Sequence, residues 1–161
     1  MHNILEISWG WEMDRSHLRR LLEKFSLIIL DDSKVIFCSK DNTIRPIVEA
    51  VIALGERLNN TIIADRVVGR AAALVIANTR PRFVYAIIMS GGGLEVLKKY
   101  GIRHSYERLV ERILTPSGET CPFERLVSSI SDPEEALRII SSRLEIYGKT
   151  LNKKKMKEES I

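Results

Sequence analysis

Residues 82–89, RFVYAIIM, form an almost continuous apolar run that is rich in β-branched and aromatic side chains. Such a run is typical of a strand covered on both faces, because a strand with one solvated face alternates polar and apolar residues. Strand-like and helical segments alternate through the rest of the chain. The sequence therefore predicts an α/β fold with a mixed sheet between helical layers, a three-layer α/β/α sandwich that begins with a hairpin.

Periodicity divides residues 15–148 into one series of elements without repeats or a linker, as expected for a single domain of a 161-residue chain. Helices are predicted at 15–26, at 42–58 with Pro46 in the first turn, at 67–78, at 94–101, and from Asp132 to about Tyr147. Strands are predicted on each side of a turn at 31–34, at 62–63 and at 82–89. Residues 102–114 fit either a strand or a mixture of strand and helix, and a helix ends the segment 115–130.

Two flanking segments differ from this body. Residues 1–14 are too apolar for a free tail, so we expect this N-terminal extension to pack on the body or on a partner, which includes a homo-oligomer. The tail at 149–161 holds five lysines and two glutamates, a net charge of +3, whereas the whole chain carries +4. The body is therefore nearly neutral, and a disordered, solvated lysine tail is a better interpretation than a nucleic-acid clamp.

The composition also indicates a compartment. No apolar run approaches the ~18 residues that span a bilayer, and the first residues lack the pattern of a signal peptide. The cysteines, Cys38 and Cys121, are far apart in sequence. We therefore expect a cytoplasmic protein with reduced thiols and no membrane partner.

The first candidate site follows the apolar residues Ile62 and Ile63. Asp65 and Arg66, then Gly69 and Arg70, stand where the predicted strand gives way to the predicted Ala-rich helix. Charged groups between two buried elements need partners. Either they form a helix cap and salt bridges among themselves, or they bind a ligand at the carboxyl ends of the strands.

The second candidate is Ser90 with the three glycines that follow it. Backbone N–H groups at the start of a helix can bind an anion. However, glycines after a strand also occur in plain loops, and this run matches neither a Walker nor a Rossmann pattern.

The third candidate is the segment from Thr120 to Glu124. Pro122 fits the first position of a helix, which makes Cys121 its N-cap and Glu124 its third residue. The positive end of a helix dipole can lower the pKa of a thiol. Cys121 is then either a nucleophile or only a cap, with Glu124 turned back to the backbone in a capping box.

Five segments carry a resemblance to a known family: VIFCSKDNTIRPIVE, ADRVVGRAAAL, EVLKKYGI, TCPFERLV and DPEEAL. In this order, over residues 15–145, the chain resembles a prokaryotic family of unknown function in the cytidine deaminase-like superfamily. The resemblance implies that fold, and it implies that Asp65–Arg70 line the wall of a deaminase-type pocket.

The zinc motifs of true deaminases are missing. Those enzymes use a His/Cys-Ala-Glu motif and a Pro-Cys-x-x-Cys motif. Here the matching positions read Asp-Arg-Val-Val-Gly-Arg and Ser-Gly-Gly-Gly, and the histidines are His2, His17 and His104. We therefore expect neither a metal nor another cofactor.

A carboxylate, arginines and a thiol would remain in such a pocket. The first hypothesis is a domain that binds a nucleotide-like or other anionic small molecule, with Arg66, Gly69, Arg70, Ser90, Thr120 and Glu124 as ligand-binding residues. Asp65 and Cys121 are the candidate catalytic residues, with Cys121 as a nucleophile or sulfur carrier. The alternatives are a non-catalytic interaction or oligomerisation module and, third, a nucleic-acid binder that uses the lysine tail.

Overall fold

The structure, a computed structural model, describes residues 15–146, so the predicted N-terminal extension and basic tail lie outside the described residues. The helices are α1 (Arg15–Lys24), α2 (Arg45–Leu54), α3 (Arg70–Ile76), α4 (Gly91–Lys99), α5 (Pro122–Leu126) and α6 (Pro133–Leu144). The strands are β1 (Leu27–Asp31), β2 (Lys34–Ser39), β3 (Ile62–Val68), β4 (Phe83–Ser90) and β5 (His104–Val110). A 3₁₀ turn, Gly55–Leu58, follows α2.

The five strands form one mixed sheet in the order β2-β1-β3-β4-β5. β1 is antiparallel to both of its neighbours, whereas β3, β4 and β5 are parallel to one another. Because Leu27 pairs with Ser39 on one side and with Asp65 on the other, the start of β1 lies beside the carboxyl ends of β2 and β3. The predicted hairpin and the mixed α/β sheet are confirmed.

Each face of the sheet has its own apolar cluster. On one face, Leu18 and Leu22 of α1 pack on alternate residues of β1, β3 and β4, among them Ile28 and Tyr85. On the other face, α2, α3, α4 and α6 contribute to a larger cluster that includes the opposite residues of the same strands, such as Ile29. The strand at 82–89 is therefore covered on both faces, as its apolar run predicts, and the three layers are present.

The boundary between β3 and α3 differs from the prediction. The strand does not end near Ile63, because its pairing with β4 continues through Val67 and Val68, and α3 begins only at Arg70. The polar pair Asp65 and Arg66 interrupts the apolar pattern without interrupting the backbone ladder. Asp65 and Arg66 are thus strand residues, with side chains on opposite faces, and not residues of a helix start.

The last helix begins as predicted and ends earlier. The carboxylate of Asp132 accepts a hydrogen bond from Glu135 N at 3.0 Å, and Pro133 follows at the first position. The helix ends at Leu144, because Glu145 takes the left-handed conformation with a φ of 57°. The predicted end, Tyr147, lies outside the described residues. In the described part of the chain, no helix is long and apolar enough to cross a bilayer.

Packing explains one residue of the glycine run, Gly93. Ser90 is the N-cap of α4, and its side chain accepts a hydrogen bond from Gly93 N at 3.0 Å. A Cβ on Gly93 would lie 2.7 Å from Val68 O and 3.1 Å from Gly69 O, so the absence of a side chain lets α4 lie against the end of β3. Gly91 is exposed, and the nearest atom to a Cβ there is 4.0 Å away.

We therefore expect opposite results from two neighbouring substitutions. Gly93→Ala should lower the free energy of unfolding by about 1–3 kcal/mol, because the methyl group forces α4 away from β3. Gly91→Ala should leave it unchanged or raise it by up to about 1 kcal/mol, because alanine loses less backbone entropy. Urea titrations of both variants test this difference, and equal stabilities would contradict the close approach at Gly93.

Candidate functional site

A pocket of about 500 Å³ opens at the carboxyl ends of the strands. The start of β1, the end of β3, the first turn of α3 and two loops, 41–47 and 113–124, surround it. Its walls are mainly apolar and include Leu27, Ile44, Ile47, Ala72, Ile113 and Phe123. In open α/β sheets, small ligands commonly bind at this end of the sheet, beyond the carboxyl ends of the strands.

The structure brings together most of the residues singled out in the sequence. Asp65, Arg66, Gly69, Cys121 and Glu124 all line this pocket. The three others lie elsewhere: Arg70 in the first turn of α3, Ser90 in the buried N-cap of α4, and Thr120 in an isolated bridge to Leu114.

Asp65 is the titratable group whose environment is most unusual. Burial raises the pKa of its carboxyl to about 7, and the backbone N–H groups of Val67 and Arg66 and the Arg66 guanidinium offset this only in part. One carboxyl oxygen accepts a hydrogen bond from Val67 N at 3.3 Å. Near neutral pH the side chain is therefore divided between a protonated donor and an ionised acceptor, which suits general acid–base chemistry.

The guanidinium of Arg66 forms hydrogen bonds with other parts of the protein. It donates from Nε to Leu22 O at 2.7 Å and from Nη2 to Glu23 O at 3.1 Å, at the C-terminal end of α1. Its Nη1 donates to Asn42 Oδ1 at 3.1 Å. These contacts satisfy carbonyl groups that a helix end leaves unpaired. Arg66 joins α1 and the loop after β2 to β3.

Glu124 caps a helix, but not the helix to which it belongs. Its carboxylate accepts hydrogen bonds from Arg70 N at 2.8 Å and from Ala71 N at 2.7 Å, at the N-terminus of α3. The capping box within α5, one of the alternatives left open by the sequence, is therefore not formed. The position that an anionic ligand would occupy at the start of α3 is filled by this carboxylate.

Arg70 forms a second connection between α3 and the segment that follows α5. Its Nε donates to Val127 O at 3.1 Å, and its Nη2 donates to Ile130 O, both just after α5. Gly69 makes the approach of Glu124 feasible, because a Cβ at that position would overlap the Glu124 carboxylate and would lie 2.8 Å from Ile113 Cγ1. Arg70 and Gly69 thus fasten the segment 122–130 to α3.

Cys121 is the N-cap of α5 and is followed by Pro122, as predicted. Its thiol is free and half-buried, and it lines the same pocket as Asp65. The backbone N–H of Cys121 donates to Ile113 O at 3.1 Å, which ties the two sides of the loop 113–121 together. A thiol and a titrating carboxyl therefore share one pocket.

One part of the pocket wall was not predicted from the sequence. The loop 41–47 contributes Asn42 and Thr43, and its turn is held by a hydrogen bond from Thr43 N to Asp41 Oδ1 at 2.8 Å. A hydrogen bond from the Thr43 side chain, together with this backbone bond, lowers the pKa of Asp41. The Asp-Asn-Thr triplet before Pro46 was a local signal for such a turn, but not for its place beside Asp65.

No group of three or more His, Cys, Asp and Glu side chains in residues 15–146 is arranged to hold a metal ion. His104, one of the chain's histidines, binds Ile102 O through Nδ1 at 2.8 Å.

The mixed sheet, its two helical layers and the pocket define a small α/β domain with a concave site at its strand ends. Residues 17–144 match the family described as TM1506, domain of unknown function (DUF1893), and the chain belongs to this family. It is similar to the crystal structure of a DUF1893 family protein (TM1506) from Thermotoga maritima, with a TM-score of 0.74 and 32% identity over 82% of this chain and 92% of that chain.

A lower similarity connects the chain to RibD from Acinetobacter baumannii. The TM-score is 0.44 and the identity 19%, over 61% of this chain and 36% of that one. Similarity at this level carries neither the fold nor an activity to this chain. No curated protein matches it.

We expect Glu124 to hold the pocket wall in place. Glu124→Ala should lower the free energy of unfolding by about 2 kcal/mol, because two N–H groups of α3 lose a charged acceptor. Glu124→Gln should lose less, since one oxygen remains. Urea denaturation measures both, and Glu119→Ala, an exposed residue of the preceding turn, is the matched control. A loss at position 119 as large as that at 124 would contradict this role.

The raised pKa of Asp65 predicts a pH-dependent stability. Because the folded state holds this proton more tightly than the unfolded chain, the stabilisation is complete below about pH 4 and is lost as the pH rises through 7. Asp65→Asn should therefore match the wild type at pH 4 and exceed its free energy of unfolding by about 2–4 kcal/mol at pH 8. Asp31→Asn, at the exposed end of β1, is the control. Parallel curves for the wild type and Asp65→Asn from pH 4 to 8 would refute this assignment.

Proposed function

We propose that the pocket binds a small, largely apolar and uncharged molecule that has a ring and a hydrogen-bonding edge, as a nucleobase or nucleoside has. The observation that carries this proposal is a single unusual carboxyl, Asp65, set among apolar walls in a pocket of about 500 Å³. Apolar walls with few polar groups are typical of small-molecule sites, in which the polar groups fix the orientation of the ligand.

This proposal departs from the nucleotide-like or other anionic ligand expected from the sequence, because it keeps the base-like ring and drops the negative charge. The guanidinium of Arg66 is engaged by α1 and Asn42, and among the described residues no other Arg or Lys lines the pocket. The N-terminus of α3 already holds the Glu124 carboxylate. A phosphate inside the pocket would face Asp65 and Glu124 without a cation, so a charged part of a ligand belongs toward solvent.

Asp65 supplies the chemistry of recognition. In its protonated form the carboxyl donates to a ring nitrogen or carbonyl oxygen, and in its ionised form it accepts from an amide or amino group. With a pKa of about 7, both forms are populated near neutral pH. The direction in which affinity changes with pH therefore reports which edge of the ligand faces Asp65.

Cys121 offers a second candidate function, because its free thiol lines the same pocket as this proton donor. Sγ would bond to an electrophilic ring carbon as the thiol proton leaves to solvent. The displaced π electrons would move to the adjacent ring nitrogen, which takes the proton of Asp65. The adduct balances without an oxidant or reductant.

The proposal also includes the superfamily to which the domain belongs and the cellular compartment in which it acts. The order of a helix, two strands, a helix and then alternating strands and helices supports membership of the cytidine deaminase-like superfamily. The proposal that this member is zinc-free depends on the missing zinc motifs in the sequence. A cytoplasmic location and self-association remain predictions of the sequence.

Thermal unfolding with defined probes tests ligand binding. Far-UV circular dichroism is recorded with adenosine, guanosine, cytidine or uridine, and with each 5′-monophosphate. A probe at about 100 times its Kd adds about 2.7 kcal/mol of stability, which raises Tm by several degrees. We expect at least one nucleoside to raise Tm, its monophosphate to do no better, Asp65→Asn to lose the shift and Asp31→Asn to keep it.

Other results would redirect the assignment. A monophosphate that stabilises more than its nucleoside would restore the anionic ligand, and no shift with any probe would favour the interaction module. Cys121→Ser should keep the thermal shift if the site only binds. If the thiol reacts, mass spectrometry should detect an adduct on the wild type that is missing from Cys121→Ser.

A further inference from the structure

Among residues 15–146 the sheet ends at β5, and no described strand pairs with its outer edge. In the described part of the chain β5 pairs with β4 alone. Glu107 lies on the face that carries α1, where its carboxylate is 3.5 Å from Arg19 Nη1. Leu109 follows two residues later on the same face, and 46% of this apolar residue is exposed. An unpaired strand edge beside an exposed apolar side chain is a template for strand addition.

The chain itself contains a segment of matching pattern. Residues 5–12, LEISWGWE, alternate strictly between apolar and polar or small residues: Leu5, Ile7, Trp9 and Trp11 against Glu6, Ser8, Gly10 and Glu12. A period of two predicts an amphipathic strand with one apolar face. The family match begins at residue 17, so this segment lies outside the matched residues.

The direction of α1 leads back to the β5 edge. The end of α1 lies over β3, where Leu22 O and Glu23 O bind Arg66, and the chain then enters β1. One turn earlier, Arg19 reaches Glu107 of β5. The helix therefore starts toward the β5 side of the sheet, and only residues 13–14 separate Glu12 from its first residue. A tether this short gives the segment a high effective concentration at that edge.

The charges of the N-terminal segment also favour binding beside β5. Residues 1–14 contain Glu6, Glu12 and Asp14 and neither lysine nor arginine. In contrast, α1 has four basic residues and one acidic residue, and on β5 the exposed Arg108 offsets Glu107, which is paired with Arg19. An acidic strand beside this surface is electrostatically complementary.

We propose that residues 5–12 add to the free edge of β5 of the same chain as a sixth strand. Leu5, Ile7, Trp9 and Trp11 then cover Leu109 on the face that carries α1. Backbone hydrogen bonds to β5 supply the pairing, and the apolar side chains extend the smaller of the two cores. The docked segment closes one edge of the sheet.

Tryptophan emission tests this proposal directly, because Trp9 and Trp11 are the two tryptophans of the chain. In the full-length protein we expect blue-shifted emission and weak acrylamide quenching. Leu109→Glu should shift the emission to that of indole in water and raise the quenching constant several-fold. Val35→Glu is the matched control: it lies on the opposite edge strand, and each parent residue is 46% exposed. It should leave the emission unchanged.

A second pair of variants tests strand pairing without touching the body. Ser8→Pro removes a backbone donor, so it should reproduce the effect of Leu109→Glu and accelerate amide exchange along β5. Ser8→Ala should do neither. Solvent-like emission in the wild type would overturn the proposal, as would a shift caused by Val35→Glu instead of Leu109→Glu. Emission that depends on protein concentration, with a dimer in native mass spectrometry, would replace it with strand exchange between two copies.

Discussion

The geometry of the site depends on one interaction, the carboxylate of Glu124 at the N-terminus of α3. It satisfies two backbone donors that a helix start leaves unpaired, at 2.8 Å and 2.7 Å. Because Gly69 has no side chain, the carboxylate can reach them. Arg70 binds the same segment in return through Val127 O and Ile130 O. Cys121 and Phe123 are thereby held against the carboxyl end of β3, which gives the pocket its outer wall.

The hydrogen bonds of Glu124 also determine which polar groups are left in the pocket to bind a ligand. A helix N-terminus and two arginines, read from the sequence, suggest an anion site. In the folded chain, Glu124 fills the helix N-terminus. The guanidinium of Arg66 binds carbonyl oxygens at the end of α1, and that of Arg70 binds carbonyl oxygens of the segment after α5. The carboxyl of Asp65 is left in an apolar setting, where burial raises its pKa. The positive groups stabilise the scaffold, and the acid faces the pocket.

Local signals in the sequence predicted local structure well. Some features were predicted because their conformation is determined by residues adjacent in sequence. They are the strand at 82–89, the turn before β2, Pro46 at the start of α2 and Asp132 at the start of α6. The end of β3 was placed too early, because its last residues are held by pairing with β4 and not by an apolar pattern. The partner of Glu124 lies 54 residues away, so proximity in sequence pointed to the wrong helix. Five of the candidate site residues line one pocket, but their hydrogen-bond partners are distant in sequence and could be identified only in the folded chain.

The antiparallel strand β1 explains why the pocket has walls on so many sides. Its start lies at the edge where β2 and β3 end, so Ser26 can bind Ser39 O and Asp41 O and fix the loop that leads to α2. Arg66 holds the next residue of that loop, Asn42, while Glu124 holds the opposite wall. Both walls are thus fastened to β3 or to its immediate continuation. A pocket built this way is preorganised, because hydrogen bonds within the protein already order both loops.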